Sequence, residues 1–366
     1  MIFEFCDIPV VALKYSQIYE DYFAAERDCE TFCQKVMKHG LTKVQCEVLY
    51  AACVYFMGLG KTGMPTRNDI YSELQNMTFI NHEYDFERTN GGEVGNCQLI
   101  PTRKHGSVDY DLIAKVHSVD IIWKEMQIYK QIAINCIKSK VTLEHILMPV
   151  DTFYISGQSW EQRMLIMPRC NMGDMTALNS NMKRGAYGPL LLQCLEALRE
   201  VHIAGYVHKD VKIYNFCVQK TSTGQMRIYI IDFGGSKNIC TRFKPDQFFG
   251  TKEYGPFAAL QLQIPVFTDD LESLVYMVYE MQVASLPWEN YSEAQIKKLI
   301  AFTEKKSKLP LPSEYVRVIR DLRLAGEKTR SLLKHTKTQE PQPAHSFYFD
   351  KDIYRPVAEL IRSTFR

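Results

Sequence analysis

Two short polar motifs frame a predicted β-hairpin, and this arrangement restricts the fold of the chain more than any other feature. The first motif is His-Lys-Asp-Val-Lys-Ile-Tyr-Asn (208–215), and the second is Asp-Phe-Gly (232–234). Between them lie the apolar runs 216–218 and 228–231, separated by the turn signal Thr223-Gly224. This pattern predicts two antiparallel strands whose outer ends carry the two motifs. Each motif alone is common by chance, so the prediction depends on their combination.

The residue types in these motifs suit phosphoryl transfer from a magnesium-bound triphosphate. Asp210 is the candidate base that orients a hydroxyl and accepts its proton. Lys212 lies on the same face of an extended loop, where its charge would neutralise the transferred γ-phosphate. A lysine there favours serine or threonine over tyrosine as the acceptor. Asn215 and Asp232 offer the oxygen ligands that Mg²⁺ prefers.

An ion pair is predicted upstream of these two motifs. Leu112 to Val116 is a short β-rich run that contains Lys115, and the segment 119–137 has apolar residues at helical intervals. Glu125 falls on the apolar face of that predicted helix, where a carboxylate is costly to bury without a cationic partner. We expect Lys115 to be that partner, on the nucleotide side of the site. The alternative is a solvated Glu125 beside Lys124.

The segment 89–97 approximates a phosphate-binding glycine loop. It aligns to G-x-G-x-x-G with Asn90 in the first glycine place and Gly92 and Gly95 in the other two. Glycine lets backbone N–H groups approach phosphate, and asparagine is the best substitute where φ is positive. An ordinary turn between strands is the alternative. Gly58 to Gly63 fails as a phosphate loop, because Tyr55 stands where the first glycine is needed.

From about residue 85 to its end, the chain resembles a eukaryotic protein kinase domain of the casein kinase 1 group. Within that group it is most similar to the divergent casein kinase 1-like and tau-tubulin kinase-like branch. Beyond the two motifs, the resemblance rests on Gly-Thr-Lys-Glu-Tyr-Gly-Pro (250–256), Asp-Asp-Leu-Glu-Ser-Leu-Val-Tyr (269–276) and Leu-Pro-Trp (286–288). No Ala-Pro-Glu triplet follows the first of these segments, as is usual for the group.

The resemblance implies a bilobal α+β fold, with a small β-rich lobe that contains one key helix and a larger helical lobe. The expected boundaries are a helical N-terminal extension at 1–84 and a kinase domain at 85–366. Within that domain the resemblance implies a small lobe near 85–167, a hinge near 168–173 and a large lobe near 174–366. The extension would pack on the small lobe, bind a partner or be partly unordered; the sequence leaves these alternatives open.

The resemblance also implies roles for individual residues, with ATP and Mg²⁺ as cofactors and proteins with serine or threonine acceptors as substrates. Lys115 and Glu125 would form the ion pair that serves the ATP phosphates. Met167 would lie at the gate of the adenine pocket, and the hinge backbone at Arg169 and Cys170 would hydrogen-bond the adenine. The resemblance also implies that residues 208–215 form the catalytic loop. Asp270 would brace this loop from a buried helix, and His208 would pack beneath it as a structural residue.

Several residues depart from the pattern of the group. Lys209 replaces an arginine and loses its planar fork. Ile213 and Tyr214 replace a proline-containing pair, and Glu253 stands where casein kinase 1 enzymes carry a phosphate-binding arginine. Asn90, Lys209, Ile213 and the unusual N-terminal extension motivate an alternative function, a pseudokinase that acts as a scaffold or allosteric binding module. A third alternative, a small-molecule kinase, is disfavoured by the segments at 250–256 and 269–276.

Composition limits the remaining classes. With 366 residues, 46% hydrophobic and 23% charged, the chain is long enough for one or two cores. Its net charge of +2 gives no reason to expect binding to nucleic acid. Eleven cysteines without a C-x-x-C pair predict reduced thiols, and hence a cytoplasmic or nuclear protein. No apolar run is long enough for membrane insertion, and we expect a monomeric kinase domain.

Four further segments carry predictions. Helices are expected at 15–37 and 43–57 in the extension, at 190–202 before the catalytic loop, and at 353–365 near the end. The segment 328–346, rich in Lys, Gln and Pro, is expected to be a flexible insertion. Ser236, Thr241 and Thr251 in the basic segment 232–254 are candidate phosphorylation sites.

Overall fold

The structure is a computed structural model that describes residues 29–38, 84–87, 93–94, 97–109, 111–156, 161–178, 182, 184–241, 245, 247–296, 299, 310–335 and 351–366. The chain divides into two compact units, Met1–Met126 with Met148–Arg169 and Gln127–Leu147 with Cys170–Arg366. In the extension, helix α1 (Cys29–Met37) is described; the rest of the helices expected at 15–37 and 43–57 lies outside the described residues. The predicted domain boundaries stay a prediction.

An antiparallel sheet makes up most of the described part of the first unit. Its strands pair in the order β1-β3-β4-β6-β5, with β2 added beside β3. Their bounds are β1 Tyr84–Phe86, β2 Glu93–Val94, β3 Cys97–Lys104, β4 Leu112–Ser118, β5 Asp151–Ser156 and β6 Glu161–Pro168. Strand β4 buries Leu112, Ala114 and Val116 in the core of this unit. Because side chains alternate along a strand, Lys115 lies on the opposite face of the sheet.

Helix α2 (Val119–Lys138) follows β4 directly, as predicted. Its buried positions include Ile122, Glu125, Ile128, Tyr129 and Ile132. Their spacing of three and four residues is that of one helix face. Residues up to Met126 belong to the first unit, and those from Gln127 belong to the second.

The second unit is mainly helical. Its helices are α3 Tyr187–Ile203, α4 Phe257–Leu260, α5 Phe267–Val283, α6 Ser313–His335 and α7 Tyr354–Thr364. Helix α5 is buried at every position from Phe267 to Val278, so it is the central helix of this unit. Among the residues described, no helix has both the length and the apolar character that a bilayer crossing requires. Together with the sheet of the first unit, these helices give the predicted α+β fold of a bilobal kinase.

Two buried ion pairs hold α6 to α5. Arg330 Nη2 lies 2.6 Å from Asp269 Oδ2, and Arg323 Nη2 lies 2.7 Å from Glu272 Oε1. Between the two arginines a Cβ at Gly326 would come within 2.5 Å of the neighbouring helix, so the helices approach closely there. The prediction of a flexible insertion at 328–346 is therefore wrong for its first part, which is helical up to His335. The remainder lies outside the described residues.

Two small β-ladders surround the catalytic motifs in the second unit. Strand β7 (Tyr206–Val207) pairs antiparallel with β10 (Lys237–Asn238). Strands β8 (Phe216–Lys220) and β9 (Met226–Ile230) form the predicted hairpin, with Phe216 opposite Ile230. The ladder continues past the strand ends, because Ile231 N–H donates to Asn215 O at 3.0 Å. The hairpin thus brings the end of the first motif beside the start of the second.

Candidate active site

The catalytic loop follows β7, and a buried carboxylate on α5 holds it from below. Asp270 accepts the backbone N–H of His208 at 2.6 Å and that of Lys209 at 2.9 Å. His202 on α3 bonds the same carboxylate through Nε2 at 2.9 Å. His208 is fully buried, and its ring nitrogen lies 3.0 Å from Ile231 O. The contacts are those implied for Asp270 as a brace and His208 as a structural residue.

The Asp210 carboxylate is bound at both oxygens. Oδ1 accepts the backbone N–H of Thr251 at 2.9 Å and its hydroxyl at 2.8 Å. Oδ2 lies 2.8 Å from Lys212 Nζ and 3.1 Å from Asn215 Nδ2. The side chain keeps 15% of its surface exposed. A carboxylate oriented by four donors, yet open to solvent, is arranged to receive the proton of an incoming hydroxyl.

Thr251 is a site residue that the sequence did not assign to the site; it served there only as part of the 250–256 segment and as a candidate phosphorylation site. Its hydroxyl donates to Asp210 and accepts from Lys212 Nζ at 2.9 Å. The preceding Gly250 makes this approach possible: its φ is 120°, and a Cβ there would lie 2.7 Å from Lys209 O. The Gly-Thr pair of the 250–256 segment is the sequence signal that could have pointed to this contact.

Asn215 and Asp232, the predicted magnesium ligands, lie on neighbouring backbone at the open end of the hairpin. Asn215 uses its amide N–H to bond Asp210 O at 2.8 Å, so its amide oxygen is the atom left to bind a cation. Asp232 has a left-handed backbone with φ 67°, which is strained for a residue other than glycine. The buried ring of Phe233 packs edge-on against His208 and Tyr129, with ring centroids 5.1 and 4.8 Å away. These ring contacts hold the turn in place.

In the first unit, Lys115 and Glu125 form the predicted ion pair. Nζ and Oε2 are 2.8 Å apart, and the side chains are 14% and 0% exposed. A solvated Glu125 is therefore excluded. Burial makes the geometry of this pair important, because a carboxylate at this depth is stable as an anion only beside its cation.

Met167, the predicted gate residue, lies near the end of strand β6, and the predicted hinge residues Arg169 and Cys170 follow that strand. Met167 is buried at the end of that strand, opposite Ile113, and Arg169 N–H donates to Asp111 O at 2.8 Å. In the second unit, a hydrogen bond with Cys217 holds the pKa of the Cys170 thiol below its usual range, against the effect of burial. The roles proposed for Met167, Arg169 and Cys170 stay predictions.

The predicted glycine loop is only partly described. Its candidate residues Asn90, Gly92 and Gly95 lie outside the described residues. Of the segment 89–97, the structure describes only strand β2 and Cys97. Their part in binding the nucleotide stays a prediction.

All three candidate phosphorylation sites are hydrogen-bonded in the structure. The Thr241 hydroxyl donates to Asn238 O at 2.6 Å. Ser236 is 1% exposed, and its hydroxyl donates to His208 O at 3.2 Å. Thr251 takes part in the Asp210 network described above. Nearby, burial and hydrogen bonding to Glu280 raise the pKa of Tyr254 above its usual value, so this tyrosine is a neutral structural residue. Phosphate on Ser236 or Thr251 would disrupt contacts that hold the catalytic loop.

The fold and these motifs define a protein kinase. Residues 108–344 match the protein kinase domain family, which is more than half of the chain, so the chain belongs to that family. Relatives named as casein kinase I and casein kinase 1-like support the resemblance to the casein kinase 1 group.

Three relatives illustrate the similarity. Nucleosomal histone kinase 1 of Drosophila melanogaster is 31% identical over 214 residues, which is 54% of this chain and 35% of that protein. A putative casein kinase I of Caenorhabditis elegans is 29% identical over 154 residues, or 38% of this chain and 44% of that protein. Casein kinase 1-like protein HD16 of rice, Oryza sativa subsp. japonica, is 29% identical over 112 residues, 28% of this chain and 16% of that protein. The chain thus spans less than half the length of each.

Proposed function

We propose that this chain is an active serine/threonine protein kinase that transfers the γ-phosphoryl group of Mg-ATP to protein hydroxyls. The observation that carries the proposal is the Asp210 carboxylate, which Thr251, Lys212 and Asn215 orient while part of it stays open to solvent. A scaffold without catalysis has no use for a carboxylate that is oriented by four donors and still accessible to a hydroxyl.

The described side chains fit the cofactors. Magnesium prefers oxygen ligands, and Asn215 and Asp232 offer an amide and a carboxylate oxygen on adjacent backbone. Bound Mg-ATP would supply the phosphoryl group and neutralise part of its charge. Lys115, held by Glu125, would serve the α- and β-phosphates, and Met167, Arg169 and Cys170 would line the adenine site.

The acceptor is a protein hydroxyl. Lys212, already bonded to the base, would stabilise the charge of the transferred group, as expected of serine/threonine kinases. Because two relatives are named as a histone kinase and a casein kinase, nucleosomal histones and casein are the first acceptors to test.

The experiment compares phosphate incorporation from labelled ATP by the wild type and by Asp210→Asn. Loss of the base is expected to lower the rate by about 10² to 10⁴-fold. Asp109→Asn, which removes an exposed carboxylate in the first unit, is the matched control and should behave as the wild type. Equal and negligible incorporation by the wild type and Asp210→Asn would disprove the proposal.

Nucleotide binding is measured separately from catalysis. Mg-ATP at about 100 times its dissociation constant should stabilise the native state by about 2.7 kcal/mol, because a ligand that binds only the folded chain raises its melting temperature. An inactive protein that still shows this shift would be a nucleotide-binding scaffold. If neither a shift in melting temperature nor phosphate incorporation is seen, the remaining alternative is a pseudokinase that does not bind nucleotide.

A further inference from the structure

Phe249 is a half-exposed aromatic residue that none of the chemistry above uses. Its side chain is 47% exposed, and it stands immediately before the Gly250-Thr251 pair that contacts Asp210. Packing against a neighbouring loop and a cation–π contact can hold such a ring in one place. Contacts with two different loops fix the position of this ring.

The first contact is with Gly235. A Cβ built on Gly235 would lie 1.8 Å from Phe249 Cε1 and 2.3 Å from Cζ. The ring therefore fills the space that any side chain at position 235 would need. Gly235 ends the short turn Phe233–Gly235 that directly follows Asp232, so the ring packs on the far end of the predicted magnesium-binding turn.

The second contact is with Lys209. Its Nζ lies 4.7 Å from the centroid of the Phe249 ring, within the range of a cation–π interaction. Lys209 is the catalytic-loop residue next to Asp210, and its backbone is left-handed with φ 75°. The ring thus touches the catalytic loop from one side and the Asp232 turn from the other.

We propose that Phe249 is a positioning residue that ties the Asp232 turn to the catalytic loop through Gly235 and Lys209, and that it thereby sets kcat. Glycine at position 235 and the ring at position 249 are complementary in size: the ring occupies the space that a side chain at position 235 would fill. This inference rests on the proposed function, because it assigns a contribution to the same reaction.

The first test is a kinetic comparison of Phe249→Ala, Phe249→Tyr and the wild type. Phe249→Ala is expected to lower kcat by about tenfold or more, since small misplacements of catalytic groups are costly, and to change KM for ATP much less. Phe249→Tyr keeps the ring and should restore the wild-type rate. Tyr291→Ala, which removes another exposed ring of the second unit, is the control. A kcat of Phe249→Ala within about twofold of the wild type would overturn the proposal.

The second test changes the partner of the ring, Gly235. Gly235→Ala should expel the ring and reproduce the kinetic loss of Phe249→Ala, because the new methyl group takes its place. The double variant should then be no worse than the poorer single variant, since both changes remove the same contact. Losses that multiply in the double variant would show two independent effects and refute the pairing. If Phe249→Ala does not fold, Phe249→Leu replaces it, with a smaller loss expected.

A third readout does not require catalysis. Amide hydrogen exchange in residues 232–241 should be roughly fivefold faster or more in Phe249→Ala than in the wild type, because the turn loses its outer contact. If the wild type transfers no phosphate but exchange is faster in Phe249→Ala, the proposed function is disproved and the contact between the two loops is still supported. Unchanged exchange would overturn the tie itself.

Discussion

Replacing Thr251 with valine tests the reasoning about the Asp210 network most directly. Valine keeps the shape of the side chain and the backbone N–H that donates to Asp210 at 2.9 Å. It removes the hydroxyl that donates to Asp210 at 2.8 Å and accepts from Lys212 at 2.9 Å. The change therefore isolates two hydrogen bonds, each to a charged group.

The size of the effect follows from the geometry. A hydrogen bond to a charged group contributes about 1.5–3 kcal/mol. The lost bond from Lys212 adds little, because Lys212 Nζ still lies 2.8 Å from Asp210 Oδ2 and is not left without a partner. We therefore expect a net loss near that of one bond, about 1.5–3 kcal/mol, which is about 10- to 150-fold in kcat.

The assay is steady-state kinetics with ATP and a protein acceptor for the wild type, Thr251→Val and Thr251→Ser. Serine retains the hydroxyl and should keep most of the activity. KM for ATP should change little, because Thr251 orients the base and not the nucleotide. A Thr251→Val enzyme with kcat within about twofold of the wild type would refute this account of the network.

Three further predictions concern other parts of the structure. Glu125→Gln removes the charge that holds Lys115 at 2.8 Å, and kcat/KM for ATP should fall by about 10- to 100-fold in the same assay. Arg330→Met leaves the Asp269 carboxylate buried without the Nη2 group that bonds both of its oxygens, and chemical denaturation should show a loss of about 3–5 kcal/mol. Gly250→Ala forces a side chain into a left-handed position 2.7 Å from a backbone oxygen; thermal unfolding should show a loss of about 1–3 kcal/mol, and kcat should fall with it.

Each of these predictions has a contradicting result. Glu125→Gln with unchanged kcat/KM would show that the ion pair does not serve the nucleotide. Arg320→Met, on an exposed position of α6, is the control for Arg330→Met, and equal stability of the two variants would contradict the ion-pair argument. Wild-type stability and kcat in Gly250→Ala would show that the close approach is not required.

Local patterns predicted the elements that carry the motifs. The hairpin of β8 and β9, the strand with Lys115 and the helix with Glu125 each follow from a short run of residues with the period of one element. Even the Lys115–Glu125 contact was predictable, since a carboxylate on an apolar helix face requires a cation and Lys115 stands only ten residues away. The error at 328–335 has the converse cause: a polar composition suggested flexibility, and a distant buried carboxylate, Asp269, overrode it.

The sequence by itself thus determined the family, the α+β class and the identity of the groups able to carry out phosphoryl transfer, because motif order and side-chain period are properties of the chain alone. Only the tertiary structure decided how those groups are held. Thr251 bonds a carboxylate 41 residues earlier in the chain, Asp270 braces a loop from the first turn of helix α5, and Phe249 fills the space above Gly235. Such contacts depend on distances between segments that are far apart in the chain, and no periodicity in the sequence records them.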